Sequence, residues 1–150
     1  MLLCDAAQSL GGKLYILGGG FSTIHAVPGG LSTMALAIKI EIPWDQTNRK
    51  VAFELKLLTE DGERVDLGQG EIGAGGEFEV GRPAGVKPGS PIDVPLAIPF
   101  QSIPLGLGGY VWELSINGTP MAKTPFRVQP APGFTLDQFN NPEVQDDPDE

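Results

Sequence analysis

The segment Met34-Ala-Leu-Ala-Ile-Lys-Ile-Glu-Ile42 constrains this chain more than any other. Large apolar side chains stand at every even position, and Ala, Lys or Glu stands at every odd one. A pleated strand sends successive side chains to opposite faces, so a period of two marks a half-buried β-strand. The pattern returns at 51–57 with the odd positions apolar, and at 92–100 and 110–116 with the even ones. No window of comparable length has helical periodicity.

Turn signals separate these segments. Glycine occurs 21 times and proline 14 times, clustered between apolar runs rather than spread through them. Glu60-Asp-Gly-Glu63 and Asn117-Gly118 are hairpin signatures, because Asp-Gly and Asn-Gly accept the positive φ of a tight turn. Residues 9–12 turn a short first strand, 2–7, into a second at 13–17. Residues 22–32 read as a loop, 64–67 as a strand pairing back, and 68–76 as a glycine-rich crossing before a strand at 77–80. The last strand runs from about 121 to 128. The expected fold is all-β: an antiparallel β-sandwich of about eight strands with immunoglobulin-like or related Greek-key topology. Leu36, Ile38, Phe53, Leu55, Leu96, Ile98, Tyr110 and Trp112 are its expected core. Pro95 and Pro99 each remove a ladder donor, which marks the seventh strand as an edge or a bulged strand. The first strand has no such protection and one charge, Asp5, so it is expected either to pair with another chain, as in a homodimer, or to lie under a neighbour.

The domain is expected to occupy residues 1–128, with a proline-linked acidic tail over 129–150. The formal charge of −9 is concentrated there. Asp137, Glu143, Asp146, Asp147, Asp149 and Glu150 leave thirteen acids against ten bases in residues 1–136, so the body is nearly neutral. Such a body lacks the basic footprint that nucleic-acid binding requires. No run approaches the roughly 20 apolar residues of a membrane span, and no signal-peptide pattern opens the chain. The single cysteine, Cys4, cannot form an internal disulfide. A cytoplasmic protein is expected.

Residues that carry chemistry are sparse. Gly68-Gln-Gly-Glu-Ile-Gly73 matches the dinucleotide fingerprint by letter, but Ala74-Gly-Gly76 starts no helix to meet a pyrophosphate. Cys4 and His25, one of each, cannot assemble a soft-ligand zinc site. The six serines include no nucleophile elbow. Asp45, Asn48 and Asp61 have the oxygen chemistry of calcium ligands, but turn roles explain them better. Asn117-Gly-Thr119 spells a glycosylation sequon at a hairpin turn. No cofactor, metal or catalytic residue is expected. Trp44 after Pro43 is a candidate partner-binding residue, with a lid over the core as its plain alternative. Phe134, Leu136 and Phe139, beside the linker 129–133, are three further candidates: apolar anchors that dock on their own domain or on another protein.

Together, Cys4-Asp5-Ala-Ala7, Gly12-Lys-Leu-Tyr-Ile-Leu-Gly-Gly-Gly20, Pro43-Trp44, Glu60-Asp-Gly62, Val94-Pro-Leu-Ala-Ile-Pro-Phe100 and Gly109-Tyr-Val-Trp-Glu-Leu-Ser-Ile-Asn-Gly118 resemble a bacterial family known only as a domain of unknown function. The resemblance spans about residues 3–128. It implies a small cytoplasmic β-domain and transfers no catalytic or binding residue. The function expected is a non-enzymatic protein-interaction or scaffold module. The alternatives are a small-ligand or carbohydrate-binding sandwich using Trp44, and an enzyme built on loop carboxylates such as Asp45 and Asp93.

Overall fold

A computed structural model describes residues 1–68 and 70–141. Nine strands follow in order among them: β1 Leu2–Leu10, β2 Lys13–Gly19, β3 Thr23–Ala26, β4 Ser32–Ile42, β5 Lys50–Thr59, β6 Gly73–Glu79, β7 Ile92–Ile103, β8 Gly108–Ile116 and β9 Thr119–Pro130. A 3-10 turn, Trp44–Gln46, follows β4, and a single short helix, α1, Leu136–Asn140, follows β9. One sheet has four strands in the order β2-β1-β4-β7, and the other has five in the order β3-β9-β8-β5-β6. The five-stranded sheet curls into a half-barrel. Among the described residues no helix is long and apolar enough to cross a membrane.

The period of two is satisfied along β4 and β7. In the antiparallel pair β4–β7, Met34 faces Phe100, Leu36 faces Ile98, Ile38 faces Leu96, Ile40 faces Val94 and Ile42 faces Ile92. Each pair presents two large apolar side chains to the same side of the sheet. All five from β4 are buried, while Lys39 and Glu41 face water. From the other sheet, Val51, Leu55, Leu57, Trp112 and Leu114 complete the shared core. Trp112 is fully buried; its ring lies 4.3 Å from that of Phe100, and its indole N–H points at the Met34 sulfur at 3.4 Å. Leu96, Ile98, Phe53 and Tyr110 pack on this core half-buried.

The hairpin signatures act as their chemistry requires. Asn117 and Gly118 take φ of 49° and 79°, the paired left-handed geometry of a two-residue hairpin turn. Asn117 is also held by its side-chain carbonyl, which accepts the Ala52 N–H at 2.9 Å.

Four expectations are corrected. The first strand is not an edge: β1 lies between β2 and β4, because the turn at Gly11 and Gly12 lays β2 along its outer side. The expected loop 22–32 contains a strand, β3, which runs parallel to β9 from Thr23 opposite Arg127 to Ala26 opposite Pro130. The glycine-rich crossing becomes a strand halfway along. Glycines let β6 press onto β5: a Cβ on Gly73 would strike the Leu55 carbonyl oxygen, and one on Gly76 would come within 3.2 Å of the Phe53 ring. The segment 64–67 forms only isolated bridges, Leu58 with Arg64 and Asp66 with Glu71. The edge position of β7, by contrast, is as its prolines indicate.

Replacing Trp112 with Ala should therefore cost about 3–5 kcal/mol, since a large aromatic is deleted from a packed site. Trp44→Ala, at a half-buried position, should cost clearly less. The two denaturant midpoints, measured side by side, check the difference.

Candidate functional site

Trp44 sits in the 3-10 turn at the end of β4, half-buried against the core. Its exposed side is covered. The Arg82 guanidinium lies 4.4 Å from the ring centroid and donates to the Trp44 carbonyl at 3.0 Å and to the Thr47 hydroxyl at 2.9 Å. The Thr47 hydroxyl in turn donates to the same carbonyl at 2.8 Å. The cation thus occupies one face of the ring, where a stacking partner would also sit. Arg82→Ala should uncover the ring, shift tryptophan emission to the red and lower stability by about 0.5–1 kcal/mol, as an exposed cation–π contact warrants.

The carboxylates of the enzyme alternative, Asp45 and Asp93, are both exposed. Asp93 points outward from β7, where Lys39 bridges it at 3.4 Å and Glu41 at 2.9 Å. Those contacts raise the Lys39 pKa, Glu41 first and Asp93 second. Asp45 is exposed in the 3-10 turn. Cys4 and His25 fall in different sheets, and the His25 Nε2 lies 3.3 Å from the Gln129 amide nitrogen. Gly73, the last glycine of the fingerprint match, opens strand β6.

Past β9, the Ala131 N–H donates to the Ala26 carbonyl at 2.8 Å, which ties the chain to β3 before it leaves the sheet. Phe134 and Leu136 are then exposed and Phe139 is half-buried. Thr135 and Gln138 form a capping box at the start of α1. Glu143, Asp146, Asp147, Asp149 and Glu150 lie outside the described residues. Because the last strand ends at Pro130, deleting residues 132–150 should leave the melting temperature within a few degrees of the full chain's. A large drop would place Phe139 in the core's cooperative unit.

A further display of exposed apolar side chains is on the ribbon formed by β1 and β2. Only Leu2, Leu3 and Cys4 of β1 pair with β4, opposite Ala37, Leu36 and Ala35. Beyond them β1 pairs with β2 alone, from Ala6 opposite Leu17 to Leu10 opposite Lys13. Between the two halves Gly18 takes φ of 61°, and the Asp5 carboxylate lies where its Cβ would be. Past this point Ala7 and Leu14 pack on a second small cluster, Cys4, Ala35 and Ala37, on the outer side of β4. The Ser9 hydroxyl donates to the Pro95 carbonyl of β7 at 3.0 Å. Burial, and then the Asp5 charge, raise the Cys4 pKa, so the thiol stays neutral and unreactive.

One side of the ribbon is thus anchored. The rest is open: Leu10, Tyr15, Ile16 and Leu17 are exposed by 60, 54, 42 and 72%. Tyr15, Ile16 and Leu17 line a shallow depression of about 530 Å³ with Ala6, Ala7 and Gln8. The outer edge of β2 has no hydrogen-bonded strand beside it. Of the four sheet edges, the other three are blunted. β7 carries Pro95 and Pro99, β6 carries Glu77 and Glu79 among glycines, and β3 has four residues. Only β2 is a seven-residue edge with one charge and no proline.

Residues 1–129 match the model of a family of unknown function (DUF6941). No curated protein and no solved structure matches the chain.

Proposed function

The chain thus belongs to that family of unknown function, and we propose that it is a non-enzymatic protein-interaction module whose binding element is the β1–β2 ribbon. The observation that carries this reading is the coincidence of an unpaired, unprotected strand edge with four exposed large apolar side chains on one ribbon. Sheet edges recognise extended chains through backbone hydrogen bonds, and side chains at alternate positions add specificity. Scattered exposed apolar residues are ordinary on protein surfaces, whereas a contiguous group on a free edge is not.

In the same reading the two sheets form an immunoglobulin-like β-sandwich. Three features support it. The chain changes sheet five times, at β2–β3, β3–β4, β4–β5, β6–β7 and β7–β8. A short strand, β3, closes the five-stranded sheet by running parallel to the last strand. Finally, the Tyr110 hydroxyl, near the start of β8, donates to the Gly106 carbonyl four residues upstream at 2.9 Å. That contact is of the kind made by the tyrosine corner in Greek-key sandwiches, which supports the reading. A reducing, cytoplasmic setting fits the buried free thiol of Cys4.

The test is site-specific photo-crosslinking in cells expressing the full chain. A photoreactive residue at Tyr15 or Leu17 should give discrete protein adducts, to another copy or to a different protein. The same residue at Lys50, on β5, should give none. Equal labelling at all three positions, or no adduct from the ribbon, overturns the interaction reading.

A further inference from the structure

Resting on that reading, we propose that the partner of the ribbon is a second copy of this chain, its β2 running antiparallel to the first β2 across a two-fold axis. The two four-stranded sheets then become one sheet of eight. The geometry restricts how this is done. A two-fold axis perpendicular to a sheet keeps each side chain on its own face, and residues opposite each other on paired strands share a face. Opposed positions must therefore have the same parity. Among such registers, one pairs the whole of β2, Lys13–Gly19, with its symmetry mate. It places Ile16 opposite Ile16, Tyr15 opposite Leu17, Leu14 opposite Gly18 and Lys13 opposite Gly19.

Charge supports this occupant. The ribbon carries one acid, Asp5, and one base, Lys13, both exposed. Asp5 lies at the Gly18 end of β2, with its carboxylate over the glycine. Lys13 lies at the turn end, opposite Leu10. Antiparallel pairing lays the turn end of one copy beside the glycine end of the other. Each Lys13 then arrives at the end that holds the other copy's Asp5, twice per dimer. The two lysines stay at opposite ends, where like-charge repulsion is least. Gly18 and Gly19 leave room for the incoming backbone and the lysine stem. Apolar complementarity runs the same way, since Tyr15 and Leu17, the aromatic and the most exposed aliphatic residue of β2, cover one another.

Sedimentation velocity of the full chain at about 100 µM, a concentration that populates small, weak interfaces, should show a dimer. Ile16→Lys puts two like charges face to face on the axis and should weaken the dimer about tenfold or more. Asp5→Lys and Lys13→Asp should each weaken it, and the double variant should recover most of the loss, which a merely unfolded ribbon would not do. Directly opposed residues of an antiparallel pair have Cα atoms about 4.5–5.5 Å apart, within disulfide range. Ile16→Cys should accordingly give a disulfide-linked dimer under mild oxidation, and Leu10→Cys, more exposed but at the turn, should not. A monomer at that concentration, an undiminished dimer in Ile16→Lys, or equal crosslinking from positions 10 and 16 overturns the self-pairing. Ribbon-dependent adducts to a different protein alone would overturn it too, while leaving the interaction reading in place.

Discussion

The ladder between β4 and β7 is the constraint on which the rest depends. Five facing pairs, from Met34 with Phe100 to Ile42 with Ile92, put ten large apolar side chains on one face of the four-stranded sheet. At roughly 1.5–3 kcal/mol for fully burying such a side chain, and less for the half-buried Val94, Leu96, Ile98 and Phe100, this face supplies a large share of the free energy of burial. A slip of one residue would expose the whole set and bury Lys39, Glu41 and Asp93 instead, so the register has no near competitor. With that face fixed, the other sheet has one way to cover it. Trp112 of β8 reaches Phe100 and Met34, the two members of a single ladder pair, and so ties the two sheets together at one point of the register.

The outer face of β4 follows from the same alternation. Position by position it reads Thr33, Ala35, Ala37, Lys39, Glu41: small residues at one end and an ion pair at the other. The small end is where the ribbon lies. Ala35 and Ala37 let Cys4, Ala7 and Leu14 approach closely enough to bury both alanines, while Lys39 with Glu41 and Asp93 keeps the other end wet. The odd positions that look like a plain solvent face in the sequence are thus divided into a docking surface for the ribbon and a solvated half.

Much of this was legible in the residues. Which side chains point inward follows from a period of two, the edge position of β7 from Pro95 and Pro99, and the hairpin from Asn117-Gly118. These signals are local, and local backbone chemistry enforces them. The parts that were not legible depend on distant partners. β3 is a strand because β9, more than a hundred residues later, offers it a parallel edge. β6 is a strand because its glycines tolerate close contact with β5, and in sequence the same glycines signal a loop. Trp44 was identified as a position of interest, but its cover, Arg82, comes from the long loop after β6. The ribbon's display was hidden for a different reason. Leu14-Tyr-Ile-Leu17 is a continuous apolar run, which in sequence cannot be told from a strand buried on both faces.

A two-stranded ribbon is marginally stable by itself in water. This one is held by three means: continuity of β1 with the sheet through Leu2, Leu3 and Cys4, the Ser9 bond to Pro95, and the Ala7 and Leu14 contacts with the outer side of β4. All three act on β1 or on one side of the ribbon. None reaches the free edge of β2 or the side chains of Tyr15 and Leu17. The anchors therefore do two things at once: they order the ribbon, and they leave its apolar remainder facing outward in a fixed geometry. Order imposed in advance lowers the entropy lost when a partner strand pairs with that edge. An apolar edge that is both ordered and unprotected favours association over a flexible apolar loop of equal area, because less freedom remains to be lost on binding.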